Sequence, residues 1–294
     1  FVVDLIANII TEHKGGVEEE NYSLKGKPYP SNTDFKDKVV YHVLRREKKR
    51  QELHITTKEL VELIWEIAIE HGPAITLFKL RELCDIYFEK QADSIYEYLK
   101  INPLLEVRGS VLAFRYHFLQ DYFSTLFVID GVINNSQRPS FINATSKYSD
   151  GNSASYVDVV KYFREHHGVA RCYDILQGLK SAYVKENSQK IERSISFLVH
   201  LLIDLHSPGS SKKELSEELF SCFVGRENGG TVSYLFIHGD ALPLDFSNRK
   251  FTHCGFDGYS SLLNSNLDHA FFSYTTVDIE TQDLSGYHIT RDTF

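Results

Sequence analysis

Apolar residues recur at i, i+3 and i+4 along most of the chain, the pattern of helices that bury one face. Val2, Leu5, Ile6, Ile9 and Ile10 predict a helix over residues 1–14, and the Gly-, Glu- and Pro-containing stretch to residue 33 predicts a connector. Phe35, Val39, Val40, Val43 and Leu44 place one face of a helix over 34–51. Thr56-Thr-Lys-Glu59 matches a capping box. The helix it opens carries Leu60, Leu63, Ile64, Ile67 and Ala68 inward as far as His71 and stops at Gly72-Pro73. Thr76 is placed to cap a helix with Leu77, Leu80, Leu83, Cys84 and Tyr87 inward. A short helix follows over 93–100, ended by Asn102-Pro103.

The period then changes. Leu104–Val107 and Val111–Phe114 are short apolar runs around Arg108-Gly109-Ser110, which predicts a β-hairpin. Directly after it, Phe118, Leu119, Tyr122, Phe123, Leu126 and Phe127 form a helical apolar stripe ending near Gly131. Helices leading into a hairpin and a final helix predict a winged-helix domain over 34–132. Ile133–Ser155, rich in Asn, Ser and Gly, reads as a linker and sets the domain boundary. Beyond it, stripes at 156–167, 169–187, 188–206 and 212–224 predict a helical domain spanning 156–230.

The tail, 231–294, follows another rule. Phe246, Phe251 and Phe256 stand five apart, as do Leu262, Leu267, Phe272 and Val277, and Leu284, Ile289 and Phe294. Small residues precede several of them by two: Cys254, Ser260, Ser265, Ala270 and Thr275. That spacing resembles the pentapeptide-repeat β-solenoid, with breaks after Phe256 and Val277; the alternative is an ordinary small antiparallel β region. The fold class expected is therefore mainly α with a β tail: a winged helix, a helical domain and a short β-solenoid-like end.

Composition narrows the function classes. With 294 residues and 42% hydrophobic positions the chain has ample material for more than one core. It has no run approaching the roughly 18 apolar residues of a bilayer span, so no membrane partner is expected. A net charge of −8 disfavours general nucleic-acid binding. The basic run Arg45-Arg-Glu-Lys-Lys-Arg50 reads first as a solvated helix end and second as a phosphate-contacting patch. Within 93–100 only Lys100 is basic, against Asp93 and Glu97, a poor surface for a groove-reading helix. Cys84, Cys172, Cys222 and Cys254 show no paired spacing, as expected of reduced, buried thiols in a cytoplasmic protein. No Gly-x-x-x-x-Gly-Lys-Ser/Thr loop, HExxH or Gly-x-Ser-x-Gly occurs. Gly225–Gly230 reads as a turn, and the adjacent His166 and His167 cannot share a helix face. The sequence predicts no catalysis, metal or cofactor in this segment. The chain has no methionine and opens within an apolar stripe. It is expected to be a segment of something longer, or a sequence from which methionines are missing.

Phe114-Arg-Tyr-His-Phe-Leu-Gln-Asp-Tyr-Phe123 resembles the Phe-x-His-x-x-Phe-Gln-Glu-Tyr-Phe signature in the winged-helix region of NACHT-type STAND nucleoside triphosphatases, the NLR-like regulators that include bacterial antiphage proteins. Residues 34–130 fit the pattern throughout. The resemblance implies a regulatory and sensory arm that restrains an upstream nucleotide-binding domain in its ADP state and responds to ATP exchange. A protein trigger or effector would be met by 156–294, with homo-oligomer formation on activation. In that family a histidine three residues before the Phe-Gln-Glu motif reaches the β-phosphate of ADP. Here Tyr116 holds that position, with Arg115 before it and His117 after it. Tyr116 replaces the histidine, His117 serves after a one-residue shift, or both pack at the hairpin–helix junction without touching nucleotide. The alternatives to this family are a winged-helix DNA-binding regulator and a non-catalytic protein-binding adaptor.

Overall fold

The computed structural model describes residues 35–166, 170–206, 211–224, 230–259, 262 and 264–278. The helix expected over 1–14, the connector to 33, the turn at 225–229, His167 and the register of Leu284, Ile289 and Phe294 lie outside the described residues. The protein is mainly helical with small sheets, and it divides into two compact units, 1–127 and 128–294.

In the first unit, α1 (Phe35–Arg50) and α2 (Thr57–Glu66) are joined by a loop that ends in the cap Thr56. The Thr56 hydroxyl accepts from Glu59 N at 3.1 Å, and the Glu59 carboxylate accepts from Thr56 N at 2.7 Å. This is the reciprocal capping box that the sequence predicts, and it satisfies donors the helix cannot. α2 continues as a π turn, Ile67–His71, and stops at Gly72, whose φ of +72° suits only glycine without strain. A strand follows, β1 (Ala74–Thr76), which periodicity missed because it is three residues long and abuts Pro73. Then come α3 (Leu77–Phe88), α4 (Ala92–Ile101), β2 (Leu105–Arg108) and β3 (Val111–Phe114). The strands form one antiparallel sheet in the order β1–β3–β2, with Ile75 and Val107 both opposite Leu112. Buried Asn102 joins α4 to the sheet: its amide donates to the Tyr98 hydroxyl at 2.7 Å, and its oxygen accepts from Leu104 N at 2.9 Å. The core runs through Leu44, Leu60, Ile64, Leu80, Ile95, Leu99, Leu112 and Phe123.

α5 (His117–Ile133) carries the chain across the division between the units. The linker reading of 133–155 is therefore corrected. The division falls at 127/128, inside a helix, and 139–148 folds as α6 (Pro139–Thr145) and a 3₁₀ turn (Ser146–Tyr148) with Phe141 and Thr145 fully buried. Polar composition hid this element, because its serines and threonine bond inward. Pro139 at the first helical turn was the available signal.

The second unit continues with α7 (Ala154–His166), α8 (Ala170–Glu186), α9 (Gln189–Leu205) and α10 (Lys212–Ser221). Ser211 and Glu214 build another capping box at the start of α10. Six short strands follow: β4 (Val232–Ser233), β5 (Phe236–His238), β6 (Lys250–Thr252), β7 (Gly255–Asp257), β8 (Phe271–Ser273) and β9 (Thr276–Asp278). They pair in parallel as two sheets, β4–β6–β8 and β5–β7–β9. Val232 stands opposite Phe251 and Phe251 opposite Phe272, while Ile237 pairs with Phe256 and Phe256 with Val277. The five-residue spacing thus sends alternate large side chains to two sheets. Phe246, Phe251 and Phe256 are buried against one another, with ring centroids 5.1 Å apart for 246–251 and 5.6 Å for 246–256.

Candidate functional site

The residues singled out from the sequence, Arg115, Tyr116 and His117, emerge side by side at the end of β3 and are all exposed. Arg115 is held to the hairpin: its backbone N donates to Leu104 O at 3.0 Å and its guanidinium to Leu105 O at 3.3 Å. Tyr116 stacks on Phe118, with centroids 5.7 Å apart and planes 18° from parallel. Phe118 was expected in the apolar stripe, and that is corrected. It is half-exposed and turned to Tyr116, while Leu119, Tyr122, Phe123 and Leu126 are buried. The first helical turn after the hairpin therefore presents a phenol, an imidazole and a phenyl ring to solvent together.

The basic run on α1 is mostly exposed, but part of its charge is met within the unit. Buried Glu47 takes the Arg46 guanidinium at 2.9 Å on one oxygen and that of Arg50 at 3.0 Å on the other, and Lys48 Nζ donates to Ile55 O at 2.8 Å. On α4, Asp93 pairs with Arg81 and Glu97 with Lys100, so its acidic groups are met within the unit. The four cysteines are buried thiols without disulfides. Burial pushes Cys84, Cys172 and Cys254 up to about 12 and Cys222 to about 11, which leaves little thiolate at neutral pH. Among the described residues, no group of three or more His, Cys, Asp or Glu is placed to hold a metal ion.

The most developed constellation lies in the second unit and escaped the sequence reading. α9 carries Glu192, Ser196 and His200 at i, i+4 and i+8, one polar line along a helix that is buried over most of its length. Each meets the strand β5. Ser196 Oγ accepts from His238 N at 2.8 Å and donates to Ser149 O at 2.8 Å. His200 Nε2 lies 2.7 Å from His238 O. A carbonyl can only accept, so that nitrogen carries the proton. Burial lowers the His200 pKa, keeping the ring neutral in this role.

The His238 side chain sits between two carboxylates, with Nδ1 3.2 Å from Asp257 Oδ2 and Nε2 3.1 Å from Glu192 Oε1. The second contact is close in distance but outside hydrogen-bonding geometry, a charge contact without a directed bond. Burial disfavours the imidazolium, but the paired carboxylates outweigh it and the His238 pKa is raised. The neutral ring would turn a nitrogen lone pair toward a carboxylate, and protonation removes that repulsion. His238 thereby clamps α9, β5 and β7 together.

Around the clamp opens a cleft of about 610 Å³. Its floor is Gly255, where a Cβ would come within 2.9 Å of the Phe236 ring, so only glycine fits unchanged. One wall is Tyr183 of α8, edge-on to Phe236 at 4.8 Å and to Tyr234 at 5.8 Å. Burial and the neighbouring Glu192 carboxylate raise the Tyr183 pKa, so the phenol stays protonated. The other wall is a column of rings, Tyr234, His253 and Tyr274, stacked at 5.6 and 5.2 Å. These residues occupy the same corner in successive turns of the chain, with φ of +65°, +53° and +49°. Left-handed backbone costs a non-glycine residue about 1 kcal/mol or more, and ring stacking between turns offsets part of it. The signal available in the sequence was an aromatic residue repeating at intervals of 19 and 21.

In comparison with known proteins, the chain gives no significant match to any family model, curated protein or solved structure.

Proposed function

We propose that this chain is the regulatory and recognition arm of a STAND (NACHT-like) nucleoside triphosphatase, with a role in prokaryotic antiviral defence. The first unit is its winged helix, and 116–118 is the segment that touches an upstream nucleotide-binding domain. The second unit recognises the trigger or effector, its parallel strands forming a short solenoid of the pentapeptide-repeat type. One observation carries the reading: the family's signature falls on the turn where β3 passes into α5, and there Tyr116 and His117 face solvent beside Arg115, which is exposed but held to the hairpin. An imidazole or phenol there is available to donate to an anionic oxygen, and losing that contact on nucleotide exchange would release the arm. The segment itself does not catalyse; ADP and ATP belong to the parent protein. The pairing of Arg46 and Arg50 with Glu47, and of Lys100, the one base of α4, with Glu97, weighs against a DNA-reading role.

The test is to read the coding sequence upstream of Phe1, express the whole product and assay the nucleotide released on denaturation. A phosphate-loop lysine and bound ADP are expected, with ADP content falling in His117→Ala or Tyr116→Phe. Absence of a phosphate loop, or ADP retention indifferent to both substitutions, overturns the reading.

A further inference from the structure

The cleft of the second unit combines acidic and aromatic surface beyond what the clamp uses. Two carboxylates, Glu192 and Asp257, line it beside the histidines His238 and His253, and neither Lys nor Arg is among the described residues that line it. Asp257 is more than half exposed, and one of its oxygens is engaged with His238. An ionised carboxylate has about four acceptor sites, so capacity remains on the cleft side. Tyr274, 83% exposed, stacks one face on His253 and offers the rest of its ring to solvent. Tyr183 and Tyr234 add further aromatic surface beside Glu192.

We infer that this cleft binds the cationic end of an arginine or lysine side chain presented by a protein partner. Carboxylates beside ring faces are the pairing that holds such a group: the rings attract the cation through their quadrupoles within about 6 Å, and the acids accept its N–H donors. Arginine suits the walls better, since its planar guanidinium stacks on tyrosine and donates in a fork. A phosphate or carboxylate ligand would meet two like charges, and a neutral sugar, though its hydroxyls donate to carboxylates, would leave their charge uncompensated. The volume of about 610 Å³ accommodates one long side chain and its flanking backbone. The inference stands on the cleft alone, and its test needs no nucleotide, so its failure is separate from failure of the STAND reading.

The experiment titrates the intact chain with three blocked tripeptides, Gly-Arg-Gly, Gly-Lys-Gly and Gly-citrulline-Gly, the last an uncharged match to arginine, following binding by NMR. Saturable binding of the arginine peptide is expected, with citrulline about tenfold weaker or more. Asp257→Asn, exposed and outside the core, is expected to weaken arginine binding about tenfold, or about 1.4 kcal/mol. Tyr274→Ala is expected to weaken it severalfold, with both variants retaining the parent circular dichroism. The groups facing His238 are Asp257 of β7, Glu192 and His200 of α9 and Tyr183 of α8, with His253 in the adjoining ring column. Because protonated His238 competes for the two acids, arginine binding should tighten as pH rises through the titration of that ring. Equal binding of citrulline, binding of glucose in its place, no saturable binding, or an unchanged affinity in Asp257→Asn overturns the inference.

Discussion

The two units solve the same packing problem with different materials. The first is held by an apolar core. Of its buried polar side chains, Asn102 and Glu47 sit at element ends, tying α4 to the sheet and closing the basic end of α1. Ser124 and Thr125 lie within α5, where Thr125 Oγ1 donates to Asp121 O of its own helix at 2.8 Å. The second sets buried hydroxyls and an imidazole in mid-helix where they bond to other elements. Ser194 donates to Ile142 O at 2.8 Å and accepts from Thr145 at 2.9 Å, while Ser196 and His200 fix β5. An antiparallel hairpin takes its register from its turn. A three-residue parallel strand has no turn to do so, and the polar stripe of α9 supplies the missing reference. Apolar burial sets how firmly each unit folds; in the second, hydrogen bonds also decide where the strands lie.

The largest effect should come from the shared term. Phe251→Ala and Phe123→Ala each remove a fully buried ring and should cost about 3–5 kcal/mol. Trp65, the single tryptophan, packs on the first core and reports that unit by its emission in denaturant. Amide exchange over 250–257 reports the second. Similar costs in both units would support a common apolar term; a much smaller loss for Phe251→Ala would break it. Next in size, His200→Leu removes the donor to His238 O and should cost about 1–3 kcal/mol. Its mark should be faster exchange in β5 beyond what lost stability explains; uniform acceleration would mean that the stripe does not set register. Thr56→Ala should cost about 1 kcal/mol in the first unit, read as an earlier Trp65 transition.

The smallest effect is the pH dependence that His238 and His200 give the second unit. His238 has a raised folded pKa, so its contribution is fully present below about pH 6.5, the unfolded value, and is lost as pH rises through the folded value. His200 works in the opposite sense: its folded pKa is lowered, so its contribution is present above about pH 6.5 and is lost as pH falls. His238→Gln should abolish the loss on the alkaline side and leave the acid side intact. A urea midpoint with the same alkaline slope in both proteins would refute the clamp.

The contrast also explains what could be read from the sequence. Apolar periodicity and turn chemistry located the helices of the first unit, its Thr56 box and its hairpin, because there one face is buried and the other wet. They failed at Phe118, which keeps the period but turns outward to stack on Tyr116, at Tyr87, expected inward but exposed, and at β1, too short to have a period. In the second unit the same rule dismissed 133–155 as linker, since buried Thr145 and Ser146 look like surface when only hydropathy is counted. The tail's five-residue spacing marked the buried Phe246, Phe251 and Phe256. The cleft was invisible because Tyr183, Glu192, His238, Asp257 and Tyr274 are spread over some ninety positions and meet only when the strands stack.

The constant separation between paired strands bears on how the tail assembles. Parallel pairing ordinarily demands long excursions of chain, which slow folding. Here partners are 19 or 21 residues apart at every step. Loop-closure entropy grows only with the logarithm of length, so each added strand closes a loop at nearly the same entropic cost as the one before. α9 fixes β5, the first strand of its sheet, and β7 and β9 copy the register beneath them. Assembly of this tail is thus a sequential addition on a helical template, and a lengthened loop would delay the strands after it while leaving those already laid down in place.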